Sequence, residues 1–456
     1  MLRRIKTAAF ESIQGRIFYG WVILVVAMLG MFGTGPGQSH LIGIFFDSLA
    51  TDLELPRTSV AAAYGSATLV AAFLLPQVGK LVDRFGAAGL MWILVLCLGL
   101  AAVMFSMAFN WIYIAIGFGF LRFLGQGSMM MTCANLVSQW FDQKRGMALG
   151  LMSLGFPISM AVHPPLAQWL IGQVGWRESW IWLGVATWVL LLPPVLIFLF
   201  SKPEELGLKP DGGLEKDSEG GPVEIQGMTL SEALRTPAFY ILCSGLFSLS
   251  MLVTSLHVEN KGILTRHGLD PQTATLMFTV SGIMAAISMP IIGRMLDRFR
   301  SNLMFAGGLL VMSTSLLSVT FVEGVYSGVM YAAVFGINNG VTMTYFSFFW
   351  PRFFGRKHLG SIQGTASMIM VVGASIGPIP LAIAADFTGD YDLTLRFLAL
   401  LPATFSIVAL FLKHPSQDFL RGFRIPGRSC RNACPAGEVS LLPEACQKEE
   451  HGPPPV

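Results

Sequence analysis

Twelve apolar stretches, read at 19–46, 59–78, 89–109, 111–140, 146–173, 177–200, 238–258, 273–292, 303–322, 325–350, 359–385 and 393–412, dictate what this chain can fold into. Each is close to or above the roughly 20 residues that cross a bilayer as a helix. The longer ones imply tilted or kinked helices. Only 12% of the residues are charged, against roughly 25% in a soluble domain, so the chain lacks the charge to cover a water-facing surface. The 49 glycines and 34 phenylalanines suit helices packed closely in lipid. A formal charge of +3 is too small to suggest nucleic-acid binding. The expected fold class is an all-α membrane protein of about twelve transmembrane helices.

The spans fall into two sets of six, 19–200 and 238–412, flanked by a short N-terminal segment (1–18) and a Pro/Gly-rich tail (413–456). Between the sets, the acid-rich stretch 201–237 reads as a solvated linker; within it Thr229-Leu230-Ser231-Glu232 has a capping-box pattern that predicts a short helix. With the N-terminus placed in the cytoplasm and the sides alternating, 24 of the 30 basic residues fall in cytoplasmic segments. That bias puts both termini inside and makes the number of spans even. The apolar run after Tyr19 is too long for a signal peptide and lacks a cleavage site, so it reads as an uncleaved first helix. Cys97, Cys133 and Cys243 lie in apolar segments as small hydrophobes. The tail cysteines, Cys430, Cys434 and Cys446, have spacing too loose for a metal site.

The two halves repeat. GKLVDRFG at 79–86 returns as GRMLDRFR at 293–300, and WFDQKRG at 140–146 is answered by FFGRKHLG at 353–360. Both pairs share an offset of about 214 residues and fall in turns at matching points of each half. An even number of spans separates the copies, so the repeat is parallel, with its axis along the membrane normal. Asp83-Arg84 and their echo Asp297-Arg298, with Gly79 and Gly293 beside them, read as latches. An acid at such a turn can interact with a positive helix N-terminus in one conformation and release it in the other.

GKLVDRFG and its echo resemble the loop signature of the major facilitator superfamily. Arg122-Phe123-Leu124-Gly125-Gln126-Gly127 in the fourth span resembles that superfamily's Arg-containing helix motif. Gly175-Trp176-Arg177, KPEELGLKPDG at 202–212 and TLSEALRTPAF at 229–239 are similar to its monocarboxylate and oxalate/formate exchanger branch. The resemblance covers about residues 15–415. It implies two six-helix bundles that rock about a central site lined by the first, fourth, seventh and tenth helices. Two departures stand out. The Arg that this branch carries in the eighth span to hold the substrate carboxylate has no counterpart in 273–292, and the fifth span (LGFPISMAVHPP) lacks the Gly-Pro-x-x-Gly-Gly pattern of drug/proton antiporters.

Arg122 is the sharpest chemical signal. It lies eleven residues after Trp111, roughly 16 Å deep at a helical rise, where a lone charge costs several kcal/mol. Every Asp and Glu falls near a span end in this reading, so Arg122 has no intramembrane acid to pair with. It is expected to bind an anionic solute or take part in proton coupling; the competing role is a bond to backbone carbonyls at a helix break. Polar residues gather in the spans that the resemblance places around the cavity. These are Gln38, Ser39 and His40 after the break Gly33–Gly37; Gln126 one turn below Arg122; Ser250, Thr254 and His257; and Asn338, Asn339, Thr342 and Tyr345. An aqueous site or hydrogen bonding between helices would both account for them. His40, His163 and His257 are the only groups in the spans able to titrate near neutral pH, which makes a co-transported proton a candidate partner. Pro164-Pro165 predicts a kink in the fifth helix, and Gly373–Pro380 a hinge or close packing in the eleventh.

The chain contains neither an HExxH motif nor a phosphate-binding Gly-x-x-x-x-Gly-Lys-Ser/Thr loop, which argues against a membrane metalloenzyme and a primary pump. The expected activity is secondary transport of a small organic anion such as a monocarboxylate, across the cell membrane (the inner membrane of a Gram-negative cell), by a monomer without cofactor or metal. Transport of a neutral small molecule such as a vitamin, and ligand sensing without transport, are the alternatives. Membrane lipid is the other expected partner.

Overall fold

The first crossing cannot run as one helix, because Gly33-Thr34-Gly35-Pro36-Gly37 interrupts it. In the structure, a computed structural model, Gly20–Phe32 is α-helical and gives way to a 3-10 turn at Gly35–Gly37. The chain then continues through the short pieces Ser39–Ile42, Gly43–Phe45 and Phe46–Asp52. The structure describes residues 6–7, 10–12, 17–141, 144–212, 227–355 and 359–415.

Eleven further crossings follow. The second and third are Arg57–Phe85 and Ala87–Phe105. The fourth, from Trp111 to Trp140, has a π-helical middle at Arg122–Met129. The fifth starts at Arg145, and Gly155–Phe198 contains the rest of the fifth and all of the sixth. Gly175 joins the two at φ 79°, a left-handed conformation that suits glycine. The second half comprises Pro237–Arg266, Pro271–Arg298, Ser301–Val319 and Val325–Phe354. Its fifth member is broken at Gly377 into Leu359–Ile376 and Pro378–Phe387, and its last is Asp392–Ala409. All described elements apart from one isolated bridge, Gly227 to Gly355, are helical. Nine helical segments among the described residues are long and apolar enough by themselves to span a membrane, one of them holding two crossings; the broken first crossing and the amide-bearing tenth complete the twelve.

Side chains that a soluble fold would bury face outward instead. Phe73, Trp92, Ile116, Trp182, Ile287 and Phe397 are all exposed, as expected where lipid is the solvent. The linker helix forms as the capping box requires: Thr229 Oγ1 accepts from Glu232 N–H and the Glu232 carboxylate from Thr229 N–H.

The boundaries correct the sequence reading in three places. The seventh crossing does not end at 258 but continues to Arg266, where His267 and Gly268 (φ 87°) close it. The DRF motifs, read as loops, lie on the last turns of the second and eighth helices. Wherever Arg122–Met129 is π-helical, a residue four positions on no longer sits squarely one turn below, so the α-helical register assumed for Gln126 does not hold.

With twelve crossings, the first helix begins and the last one ends on the same side of the bundle, here called the near end. Among the described residues, the hydrogen bonds and ion pairs joining the halves lie from the midplane to the far end. They include Thr279 to Ala161 O (2.6 Å), Gln272 to Pro165 O (3.2 Å) and Lys261 to Ile44 O (3.1 Å). Glycines let the backbones meet there. A Cβ at Gly43 would stand 2.3 Å from Val258 O, one at Gly65 2.3 Å from Ser375 O, and one at Gly282 2.5 Å from Pro157 O.

Candidate functional site

Arg122 reaches the seam between the first, second and fourth crossings because the broken first helix opens a path for it. The 3-10 turn leaves the Gly37 carbonyl without a helical donor, and Arg122 Nη1 donates to it at 3.1 Å. Nη1 also donates to Ser39 Oγ (3.2 Å) and Nε to Thr68 Oγ1 (3.2 Å). The guanidinium lies over the Tyr64 ring, 5.1 Å from its centroid, and the Tyr64 hydroxyl is 2.8 Å from Ser39 Oγ. Arg122 is only 4% exposed. No acid neutralises it among the described residues; neutral dipoles and an aromatic face hold the charge. In this conformation the carbonyl bond at the helix break, the competing role named above, is made.

Close backbone approach fixes this geometry. A Cβ on Gly37 would fall 2.3 Å from Leu121 O, and one on Gly125 2.9 Å from Gly37 Cα. Gly37→Ala is therefore expected to push the first and fourth helices apart and destabilise the bundle by about 1–3 kcal/mol, the usual range for overpacking. Thermal unfolding of the purified variant would register this as a lower midpoint, and an unchanged midpoint would show that the contact can relax.

The histidines converge. His40 and His257, from opposite halves, have ring centroids 5.8 Å apart. Ser159 Oγ lies 3.0 Å from His163 Nδ1 and 3.5 Å from His40 Nε2. Phe156, Phe278 and Phe335 pack around the rings. Several buried polar atoms on the elements around them have no hydrogen-bond partner: His40 Nδ1, Gln126 Oε1 and Ser255 Oγ. Such orphans are costly unless water or a ligand completes them.

The remaining polar residues divide. Gln38 donates to Thr34 Oγ1 (3.0 Å) and approaches Met130 Sδ (3.4 Å), so it braces the break. Thr254 is buried near the seam, and Thr342 donates to Asn338 O within its own helix. Asn339 donates to Phe335 O, one turn back. Asn338 and Tyr345 turn away from the seam toward the ninth crossing: Asn338 Nδ2 lies 3.1 Å from Met312 Sδ, and the Tyr345 hydroxyl donates to Met304 O. Ser250 turns toward the eleventh, donating to Met370 O (2.9 Å). Of the latch residues, the Gly79 and Asp83 side chains lie outside the described residues. Arg84 is exposed over the Phe85 ring, and Asp297 and Arg298 are exposed at the near end, with open space around Gly293.

Sequence reasoning missed a second cluster, at the far end. Glu259 is fully buried, and its Oε2 accepts from Arg57 Nη2 (2.7 Å), Arg57 Nε (3.0 Å) and the Tyr391 hydroxyl (3.3 Å). Arg57 also pairs with Asp47, which lies 3.6 Å from Lys261 Nζ. Asp386, from the eleventh crossing, accepts from the N–H groups of Arg57 (3.1 Å) and Thr58 (2.7 Å) and from the Thr58 hydroxyl. It thus caps the second helix from the other half of the molecule. The available signal was His267-Gly268, a helix stop that would have extended the seventh span past Glu259.

The sequence profile of the Major Facilitator Superfamily matches residues 20–378 and 259–424. The chain belongs to that superfamily. Among its relatives, human monocarboxylate transporter 2 is 20% identical over 395 residues, covering 82% of this chain and 81% of that protein. The MFS-type transporter YhjX of Escherichia coli (strain K12) is 24% identical over 373 residues, covering 79% and 86%. Human monocarboxylate transporter 11 is 23% identical over 382 residues, covering 82% and 78%. In fold, the chain resembles a bacterial homologue of the human lysosomal transporter Spinster in an inward-facing, occupied conformation, with a TM-score of 0.62 at 13% identity over 87% of this chain and 97% of that one. The chain is a multi-pass membrane transporter and not an enzyme.

Proposed function

We propose that this transporter moves a small organic anion, such as a monocarboxylate, by alternating access, with both termini in the cytoplasm and the near end open to it. The observation that carries the reading is Arg122: a buried cation between the first, second and fourth crossings with hydroxyls, a carbonyl and a ring for partners and no acid among the described residues. A carboxylate replacing Ser39 or Thr68 on the guanidinium would gain a charge-assisted bond. The orphaned atoms of His40 and Gln126 stand ready for the solute's polar groups. Two of the relatives reported above are named as monocarboxylate transporters. The positive bias of the near-end segments supports the orientation. The exposed Arg84, Asp297 and Arg298 fit latches that engage when the near end closes.

A second reading, a neutral solute, has one observation in its favour: Arg122 already has polar partners, and the unpartnered Gln126 Oε1 is an acceptor that calls for a donor. Counterflow in proteoliposomes, with carboxylates set against their isosteric amides, decides between the two. Exchange of carboxylates alone is expected, and exchange of amides alone would overturn the anion reading. No exchange of any solute that binds would point to a sensor.

Proton coupling through His40 or His257 belongs to the same proposal. Uptake is expected to change several-fold across roughly pH 5.5–8, the range in which histidine ordinarily titrates. A flat profile would remove the proton, and His257→Gln is expected to flatten it.

A further inference from the structure

Beside the far-end ion pairs lies a cavity of about 410 Å³ lined by Asp47, Arg57, Thr265, Arg266, Gly389 and Tyr391. Two guanidiniums face it. Arg57 is held by Glu259 and Asp47, whereas Arg266 is exposed and makes no ion pair among the described residues. Two glycines leave room for them. A Cβ at Gly262 would stand 2.7 Å from Arg57 Nη2 and 2.9 Å from the Tyr391 hydroxyl, and one at Gly389 (φ 64°) 2.9 Å from Arg266 Nη2.

We propose that this cavity is an anion-recognition site for a small carboxylate, and that its occupation opens the far end. The proposal rests on the anion-transport reading above and adds to it a second site and a trigger. The carboxylate docks on Arg266 and takes the place of Glu259 on Arg57, since a guanidinium offers a planar fork to one carboxylate at a time on each edge. Glu259 ties the seventh crossing to the second, so its displacement removes the closer of the two ion pairs that join the halves among the described residues, leaving Asp47 with Lys261 (3.6 Å). Lys261 and Asp47 flank the exchange, and Asp47 limits the site to a monoanion by opposing further negative charge.

The test places a single reporter cysteine at Val258, a buried residue packed against Gly43 across the seam, in a chain stripped of its six cysteines. In right-side-out proteoliposomes, propionate is expected to raise the rate of labelling by an impermeant maleimide about tenfold, while propionamide leaves it unchanged. Arg266→Gln should raise the propionate concentration needed about tenfold. Glu259→Gln should label fast without propionate and respond no further. Equal responses to acid and amide, or an Arg266→Gln chain with the parent concentration dependence, would overturn the proposal. Counterflow of propionate is measured in the same vesicles. Counterflow without accelerated labelling sinks this site and leaves the transport reading standing; accelerated labelling without counterflow does the reverse.

Discussion

Arg122→Gln is expected to lower transport at least about a hundredfold while the protein still folds and inserts. A cation near the midplane costs several kcal/mol, and this one is stabilised by the Gly37 carbonyl, two hydroxyls and the Tyr64 ring. Glutamine can keep one of those bonds as a donor but supplies no charge for an anionic solute. Arg122→Lys should be nearly as impaired, because an ammonium cannot reach Gly37, Ser39 and Thr68 together as the planar fork does. Counterflow rates, with gel filtration and thermal unfolding as folding controls, give the measurement. A glutamine variant that transports at the parent rate would remove Arg122 from the solute site. A variant that fails to fold would show that the residue pins the broken first helix, and Ser39→Ala would then serve as the milder probe of the solute.

The second large effect is expected at Glu259. Removing one partner of a buried ion pair costs roughly 3–5 kcal/mol. Arg57 and Glu259 come from opposite halves, so that cost falls on the state in which the far end is closed. At 1.4 kcal/mol per factor of ten, Glu259→Gln should move the equilibrium toward a far-end-open state by about a hundredfold or more. Spin-label distances across the far end should lengthen, and transport should slow because the carrier closes too seldom. Exchanging the charges, Arg57→Glu with Glu259→Arg, should restore part of both. Distances unchanged in Glu259→Gln would mean that Asp386 and the backbone seam hold the end shut without the pair.

These two sites differ in how far the sequence disclosed them. Arg122 stood out because an isolated charge interrupts an apolar run, and hydropathy detects such an interruption. Of its partners, Ser39 and the carbonyls of the first-helix break stood out as well, but Thr68 and Tyr64 did not. Thr68 is a short hydroxyl residue of a kind common in membrane helices, and Tyr64 looks like any packed aromatic until the fold brings the second crossing beside the fourth. Glu259 was misplaced for the opposite reason. A charge at the edge of an apolar run looks like the edge of the membrane, although the helix runs on to Arg266 and the acid is buried by another half of the chain. The π-helical register of Arg122–Met129 has no signature in residue type and depends on how the helix meets Gly37 and Thr34. Asn338 and Tyr345 were assigned to the seam by helix number alone, but a helix has several faces, and theirs meet the ninth crossing.

The glycine contacts at Gly43, Gly65 and Gly282 have a mechanical consequence. Where backbone lies on backbone at these three glycines, few side chains interlock, and the surfaces there can tilt apart with little change of rotamer. In the proposed alternating access, these glycine contacts are where the seam would part most easily. The barrier would then fall to the ionic clasp at the rim and to the Thr279 and Gln272 bonds, and a bulky residue at Gly65 is expected to wedge the two halves apart even with every charge left in place.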